Sequence, residues 1–292
     1  LPSFKIKTYD EDSRYGLFRH VLIRTGYHSG EVMVVLVING KGIPNANKLV
    51  DMLDDAIFNV PVYEDGPLAG VEFNLESVVV NINKKNTSEI LGEECITIAG
   101  KPTIMEEVGG LQFEISPLSF YQVNPIQTEV LYGKAVELAG LKGDETVLDL
   151  YCGIGTISLF FARKAKKVFG VEIVPEAIAD AKKNAARNGI TNAEFAVGAA
   201  EEVIPRLYEE EGITADIVVV DPPRKGCDER LLETILQISP EKIVYVSCNP
   251  ATWARDLVVL KEGGYELKEV QPVDQFSHSV HVEVVSMLQK KQ

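Results

Sequence analysis

Two short motifs put reactive side chains where an open α/β sheet builds its sites. Asp221-Pro-Pro-Arg-Lys-Gly226 follows the apolar run Ile217–Val220, and Ser247-Cys-Asn-Pro250 follows Ile243–Val246. Such runs read as short buried parallel strands. Each motif then falls at a strand's carboxyl end, where ligands bind in this architecture. One loop carries an acid, Asp221, stiffened by two prolines; the other carries Cys248. A thiolate is a nucleophile and a carboxylate moves protons, so the pair points to covalent and acid–base chemistry. A further carboxylate, Glu283, stands inside Val280-His-Val-Glu-Val-Val-Ser-Met-Leu288. Burying it there is costly without a use, and low polarity would raise its basicity. His278 and His281 are rival bases. The bland alternatives are a small buried hydrophobe for Cys248 and an exposed strand start for Glu283.

These groups need a scaffold, and from Thr146 the chain supplies strand–helix alternation. Strands are expected at Thr146–Leu150, Lys167–Val171, Ala193–Val197, Ile217–Val220, Lys242–Ser247, Glu266–Val270 and Val280–Leu288. Helices are expected at Thr156–Ala165, Pro175–Asn188, Ala200–Glu210, Glu229–Ile238 and Ala251–Lys261. Repeated β-α units predict a mostly parallel sheet covered on both faces. No helix separates the last two strands, so the final one is expected to enter antiparallel. Before this, residues 1–116 read as a smaller α+β domain. It would have strands at Val21–Arg24, Glu31–Ile38, Val71–Leu75 and Val78–Ile82, a helix at Pro44–Ile57, and a hairpin about Gly109-Gly110. His20 and His28 there are isolated. The second domain is placed at 117–292. Its first helix opens at Pro125 and runs to about Ala139, with Ile126, Val130, Leu131, Ala135 and Leu138 inward. Gln122 and Asn124 lie on the connector before it.

A cofactor half accompanies the reactive half. Val147-Leu-Asp-Leu-Tyr-Cys-Gly-Ile-Gly-Thr156 is a strand, a turn through Gly153 and Gly155, and a helix start. Glycines there let a ligand approach the backbone. Glu172 ends the next strand, 17 residues after Gly155, where an acid can bind both ribose hydroxyls of a nucleoside. Ser158 stands where a dinucleotide fingerprint needs a third glycine, and Asp149 would repel a pyrophosphate. S-adenosylmethionine, a nucleoside with a cationic sulfonium, suits these residues better than NAD. Tyr151 is either a packed aromatic or a side chain alongside the cofactor. Arg224, where amine methyltransferases place an aromatic, argues against an amine target. Cys248 suits carbon 5 of uracil, which becomes nucleophilic once a thiolate has added to carbon 6. A base must then remove the carbon-5 proton.

Composition is that of a soluble globular protein, 46% hydrophobic and 25% charged over 292 residues. No apolar run approaches the ~18 residues of a membrane span. Four scattered cysteines form no Cys-x-x-Cys pair, which speaks against a metal site and for a reducing cytoplasm. No signal peptide is read at the start, and the lack of an initiator Met suggests a fragment or processed chain. The net charge of −14 opposes nucleic-acid binding by this piece alone.

In combination the motifs are specific. Ser-Phe-Tyr-Gln-Val-Asn124, Asp149-Leu-Tyr-Cys-Gly-Ile-Gly-Thr, Gly170-Val-Glu, Asp-Pro-Pro-Arg-Lys-Gly, Ser-Cys-Asn-Pro and His-Val-Glu283 resemble the S-adenosylmethionine-dependent RNA uracil-C5 methyltransferases. The resemblance covers at least Ser116–Leu288. It implies a Rossmann-like class I methyltransferase fold and cofactor contacts from Gln122, Tyr151, Glu172 and Asp221. It implies Cys248 as nucleophile, Glu283 as proton-abstracting base, and a first domain that helps hold RNA. Asp221 is then a cofactor- or base-positioning residue. The implied substrate is RNA, 23S rRNA favoured and tRNA the close alternative, with no membrane or protein partner evident. The chain departs from the pattern twice. It carries neither an oligonucleotide-binding barrel nor a four-cysteine iron–sulfur segment, and a basic RNA-gripping surface would belong to such absent parts. It also has Ala199-Ala200 where relatives often meet adenine with a polar residue. The rival classes are an NAD-dependent oxidoreductase and an RNA-binding module without activity.

Overall fold

The computed structural model describes residue 4 and residues 6–291; the outermost ends of the two expected domains lie outside these. Contacts divide the chain into two units, residues 1–107 with 113–119, and residues 108–112 with 120–292.

The first unit is built on a four-stranded sheet, β1 (Phe18–Thr25), β2 (Glu31–Ile38), β3 (Asn74–Ile82) and β4 (Glu94–Gly100), in that spatial order. Strands β2 and β3 are parallel, joined across helix α1 (Ala46–Phe58); the other pairs are antiparallel. Val32, Val34, Leu36, Ile38, Val78 and Val80 put one face of the sheet under Leu49, Val50, Leu53 and Ile57 of α1. Two expectations fail here. Val71–Leu75 and Val78–Ile82 are not a strand pair, because β3 runs unbroken through Glu76 and Ser77, and Ser77 pairs with Met33 and Gly100. The real neighbour, β4, is absent from the expected strands; it is an edge strand with mostly exposed side chains and no buried run to mark it. Asn81 and Asn83 explain the long excursion before β4. Asn81 exchanges two 2.7 Å bonds with the backbone of Gly92, and Asn83 donates to the carbonyls of Glu89 and Ile90. Strands β5 (Ile104–Val108) and β6 (Leu111–Ile115) form the expected hairpin.

The second unit carries the expected sheet of α/β type. Its strands are β7 (Thr146–Asp149), β8 (Lys167–Glu172), β9 (Ala193–Val197), β10 (Ile217–Val220), β11 (Lys242–Ser247), β12 (Tyr265–Val273) and β13 (Glu283–Lys290). Their order is β12-β13-β11-β10-β7-β8-β9. The sheet is parallel from β11 to β9, and β13 runs antiparallel to both β11 and β12. Helices α2 (Pro125–Ala139), α3 (Thr156–Ala162) and α4 (Pro175–Arg187) pack on strands of the sheet. Helices α5 (Ala200–Glu211), α6 (Glu229–Ile238) and α7 (Pro250–Glu262) build one core with Leu148, Val218, Val220, Ile243 and Tyr245. The chain order reverses between β7 and β10, and at such a switch point the flanking loops part to leave a crevice.

Helix α2 corrects an expectation about its inward face. Thr128, Leu131, Tyr132, Ala135 and Leu138 are buried, while Ile126 and Val130 are 42% and 50% exposed. Apolar residues surround this helix, so periodicity alone does not choose its face. The choice brings Tyr132 inside.

Candidate active site

Asp149 ends β7, Asp221 follows β10, and these two strands are hydrogen-bonded neighbours. Cys248 follows β11 and Glu283 opens β13. Because β13 is antiparallel to β11 with Ser247 opposite Val284, its first residue arrives at the edge where β11 ends. Reversal of one strand thus brings together two residues far apart in sequence. The sheet edge collects a half-buried thiol and three carboxylates, of which Asp149 and Glu283 are 1% and 3% exposed.

Burial sets the electrostatics. It pushes Asp149 up to about 6, against a 2.6 Å hydrogen bond from the Ser158 hydroxyl that favours the charged form. It pushes Glu283 up to about 7, with Arg224 pulling the other way. Asp221 goes up to about 8, through burial first and then through the charges of Glu283 and Asp149. Solvent reaches the half-buried Asp221, so the first two carry more of the energetic consequence. The Cys248 thiol is raised by burial, Glu283 and Asp221, and is lowered by Arg224. The Tyr132 phenol is buried beside Asp221, Asp149 and Glu283 and bonds Gln122.

The signs of these shifts set a pH dependence. Raised carboxylates mean that the folded chain holds more protons than the unfolded chain, so stability falls as pH rises across that window. Melting temperature should drop from about pH 4, the ordinary carboxylate value, to about pH 8, where Asp221 has ionised. Asp149→Asn should flatten the lower part of that slope in scanning calorimetry. A slope unchanged by it would assign the effect to other groups.

The glycine turn has room in front of it. Gly153 has φ +54°, and a Cβ there would meet nothing within 4 Å. Its amide donates to Glu172 Oε2 at 3.3 Å, and Glu172 Oε1 accepts from Val174 at 3.0 Å. Gly155 is tight instead, since a Cβ would lie 3.2 Å from that of Ala181. Asp149 Oδ1 is buried without a hydrogen bond of normal geometry, a cost that a ligand can relieve. An open glycine turn, a ribose-type acid and surplus buried negative charge fit a nucleoside carrying a positive group. Tyr151 is half-buried beside Cys227 and Asp228. Among the described residues, no three His, Cys, Asp or Glu are grouped to hold a metal ion.

Several residues at the site escape sequence reasoning. Gln275, 1% exposed, donates to the Asn124 carbonyl at 3.2 Å and to Thr128 at 3.1 Å, tying the loop that bears Gln122 to the loop before β13. Asp256 is fully buried on α7 and accepts the Cys227 amide at 2.8 Å and the Tyr245 hydroxyl at 2.6 Å. Tyr132 has the pattern of an ordinary core residue, and no local signal marks Gln275 or Asp256. His278 and His281 are exposed, in contrast to Glu283. Gly226 has φ +81°, and a Cβ there would lie 2.5 Å from Arg255 Nη2 and 2.7 Å from Asp256 Oδ2. Gly226→Ala should therefore cost roughly 1–3 kcal/mol in urea denaturation.

The family model for tRNA (Uracil-5-)-methyltransferase matches residues 103–291. The chain belongs to that family. Among its relatives are an uncharacterized RNA methyltransferase of Halalkalibacterium halodurans, 52% identical over 286 residues, and one of Clostridium tetani, 50% identical over 288. These matches cover 98% and 99% of the chain and 59% of each relative, so the chain spans about three-fifths of their length. Among solved structures, the Pyrococcus abyssi tRNA (uracil-54, C5)-methyltransferase in complex with S-adenosyl-L-homocysteine aligns with TM-score 0.76 and 29% identity. That alignment covers 98% of this chain and 64% of the other. The α/β fold read from the sequence is the fold of this family's methyltransferases. Among the described residues no helix is long and apolar enough to cross a membrane.

Proposed function

We propose that this chain is the catalytic part of an enzyme that transfers a methyl group from S-adenosylmethionine to carbon 5 of a uridine in RNA. The supporting observation is the meeting of Cys248 and Glu283 at one sheet edge, beside an open glycine turn and an unsatisfied buried acid. Gln122, Tyr151, Gly153, Glu172 and Asp221 would hold the cofactor, Glu172 through its ribose hydroxyls. When bound, that group supplies an electrophilic methyl on a sulfonium.

The chain's residues do the rest. The Cys248 thiolate adds to carbon 6, and the ring's electrons move onto the carbon-4 oxygen, which makes carbon 5 nucleophilic. After carbon 5 has gained its methyl, the Glu283 carboxylate takes its proton. The carbon 5–carbon 6 double bond re-forms and expels the thiolate. The uridine must be unpaired or flipped out, since carbon 6 is otherwise covered.

The substrate proposed is 23S rRNA, on the resemblance to rRNA members. A tRNA target is the second reading, favoured by the tRNA (Uracil-5-)-methyltransferase family to which the chain belongs and by the uracil-54 specificity named for the Pyrococcus abyssi enzyme. Labelled methyl transfer to 23S and tRNA transcripts, with this chain and with a full-length relative, tests both. Transfer to neither RNA, with binding intact, would leave an RNA-binding module. Calorimetric affinity for NAD and none for S-adenosylhomocysteine would overturn the methyltransferase reading.

A further inference from the structure

The loop 221–227 is fastened to the helix that follows the nucleophile at more points than packing requires. Asn249, the cap of α7, donates a side-chain hydrogen bond to the Arg224 carbonyl at 3.0 Å, and the Thr252 hydroxyl in the first turn shares its proton between that carbonyl and the carbonyl of Asn249, each at 3.2 Å. One turn on, Arg255 donates to the carbonyls of Lys225 and Cys227 at 3.0 and 3.3 Å. Asp256 accepts the Cys227 amide and the Tyr245 hydroxyl, and it also binds Arg255 at 2.7–2.8 Å. Gly226 presses against this pair so closely that a Cβ would overlap both side chains. Tyr245 belongs to β11, three residues before Cys248, so Asp256 joins the loop, the strand and the helix in one buried knot.

A fully buried carboxylate with this many partners is expensive to maintain unless its bonds are all made. Here they are made to the backbone of loop 221–227, to Tyr245 and to Arg255, not to the apolar core. The loop ends at Cys227, and at its start it carries Asp221 and the exposed Arg224. The Arg224 carbonyl lies 3.0 Å from the side chain of Asn249, the residue after Cys248, and the Arg224 charge favours the ionised forms of Cys248 and Glu283. The Arg224 backbone is what Asn249 and Thr252 grip. The helix that begins two residues after the nucleophile therefore fixes the backbone from which the Arg224 side chain extends.

We propose that Asp256 is a positioning residue, and that with Thr252 it latches loop 221–227 to α7 so that Arg224 stays beside Cys248 and Glu283. Asp256 is fully buried and bonded to Cys227, Tyr245 and Arg255, so its part is to position, not to react. The proposal deepens the reading of Cys248 as nucleophile and rests on it for its catalytic meaning, but the latch itself can be tested without RNA or cofactor.

The test is the pH profile of Cys248 alkylation by iodoacetamide, read peptide by peptide by mass spectrometry on the whole chain. The variants are Asp256→Asn, Thr252→Val, Arg224→Ala, and the two latch changes combined with Arg224→Ala. The sign discriminates. Removing a negative charge acts directly only to make a nearby thiol more acidic, and Thr252→Val removes no charge at all. Loss of the positioned Arg224 makes the thiol less acidic. Below the thiol's pKa, alkylation should slow about threefold to tenfold in both latch variants, since one pKa unit is tenfold in thiolate. It should slow similarly in Arg224→Ala, and no further in the combined variants. Unchanged or faster alkylation in folded latch variants would overturn the proposal. So would a latch effect that persists undiminished without Arg224. Thr252→Val, which spares the buried carboxylate, carries the test alone should Asp256→Asn not fold. Failure of methyl transfer in the wild type would count against the proposed function and leave this measurement standing.

Discussion

Cys248→Ala should abolish methyl transfer, lowering it by roughly 10³-fold or more, while the cofactor binds as before. The separation of these two effects is the informative part. Carbon 5 of uracil attacks nothing until carbon 6 has taken a nucleophile, so no weaker parallel route replaces the thiolate. Most of the groups proposed to hold the cofactor lie elsewhere on the edge: Tyr151 and Gly153 follow β7 and Glu172 ends β8, while Cys248 follows β11 and only Asp221 follows the neighbouring β10. Between them stands β10, with β7 on one side and β11 on the other. Removing a half-buried sulfur at β11 should leave the β7–β8 turn untouched. RNA containing 5-fluorouridine checks the chemistry directly, because fluorine at carbon 5 offers no proton to remove and the adduct persists. Wild type should give a covalent band stable to denaturant, and Cys248→Ala none. A band in the variant would exclude Cys248. Calorimetry with S-adenosylhomocysteine should give the same affinity for both proteins.

The cysteine is legible in the sequence because its signal is local. Four apolar residues and a polar stop, with a helix expected from Ala251, fix Cys248 at a strand end; in the structure Asn249 caps α7, accepting from Ala251 at 3.1 Å. The glycine turn and Glu172 are legible for the same reason. Glu283 requires more, since its meeting with Cys248 depends on an antiparallel final strand. The clue is the missing helix between the last two strands, an absence that topology turns into a direction. Tyr132, Gln275 and Asp256 are not legible. Each is an ordinary residue in an ordinary element, and its importance comes from partners well away in sequence that only the fold brings near. Gln275 and Asn124, 151 residues apart, are such a pair. In the first unit β4 escapes for the opposite reason. Edge strands face solvent and lose the buried run that betrays central ones, whereas β2, with seven of its eight residues buried, shows its true bounds in the sequence.

Glu283→Gln should stop the reaction one step later than Cys248→Ala does. The amide keeps the size and polarity of the carboxylate but cannot accept the carbon-5 proton. The thiolate should therefore still add and the methyl still transfer, and the methylated adduct should accumulate instead of turning over. Turnover is expected to fall about 10²- to 10⁴-fold, the usual worth of a positioned base. Mass spectrometry of nuclease-digested reactions should show Cys248 carrying a methylated nucleotide with ordinary uridine RNA, which wild type should show only fleetingly. In wild type, a base held near 7 by burial must lose its proton to act. Turnover should therefore rise with pH through that value and continue upward as the raised Cys248 thiol ionises. Glutamine removes the first of these ionisations. It also removes a negative neighbour of the thiol, so Cys248 in the variant should alkylate faster than in wild type near neutral pH, even as turnover collapses. A disordered site gives no such opposed pair of changes. Turnover at the wild-type rate would instead move the base to His278 or His281, the exposed pair on the loop before β13.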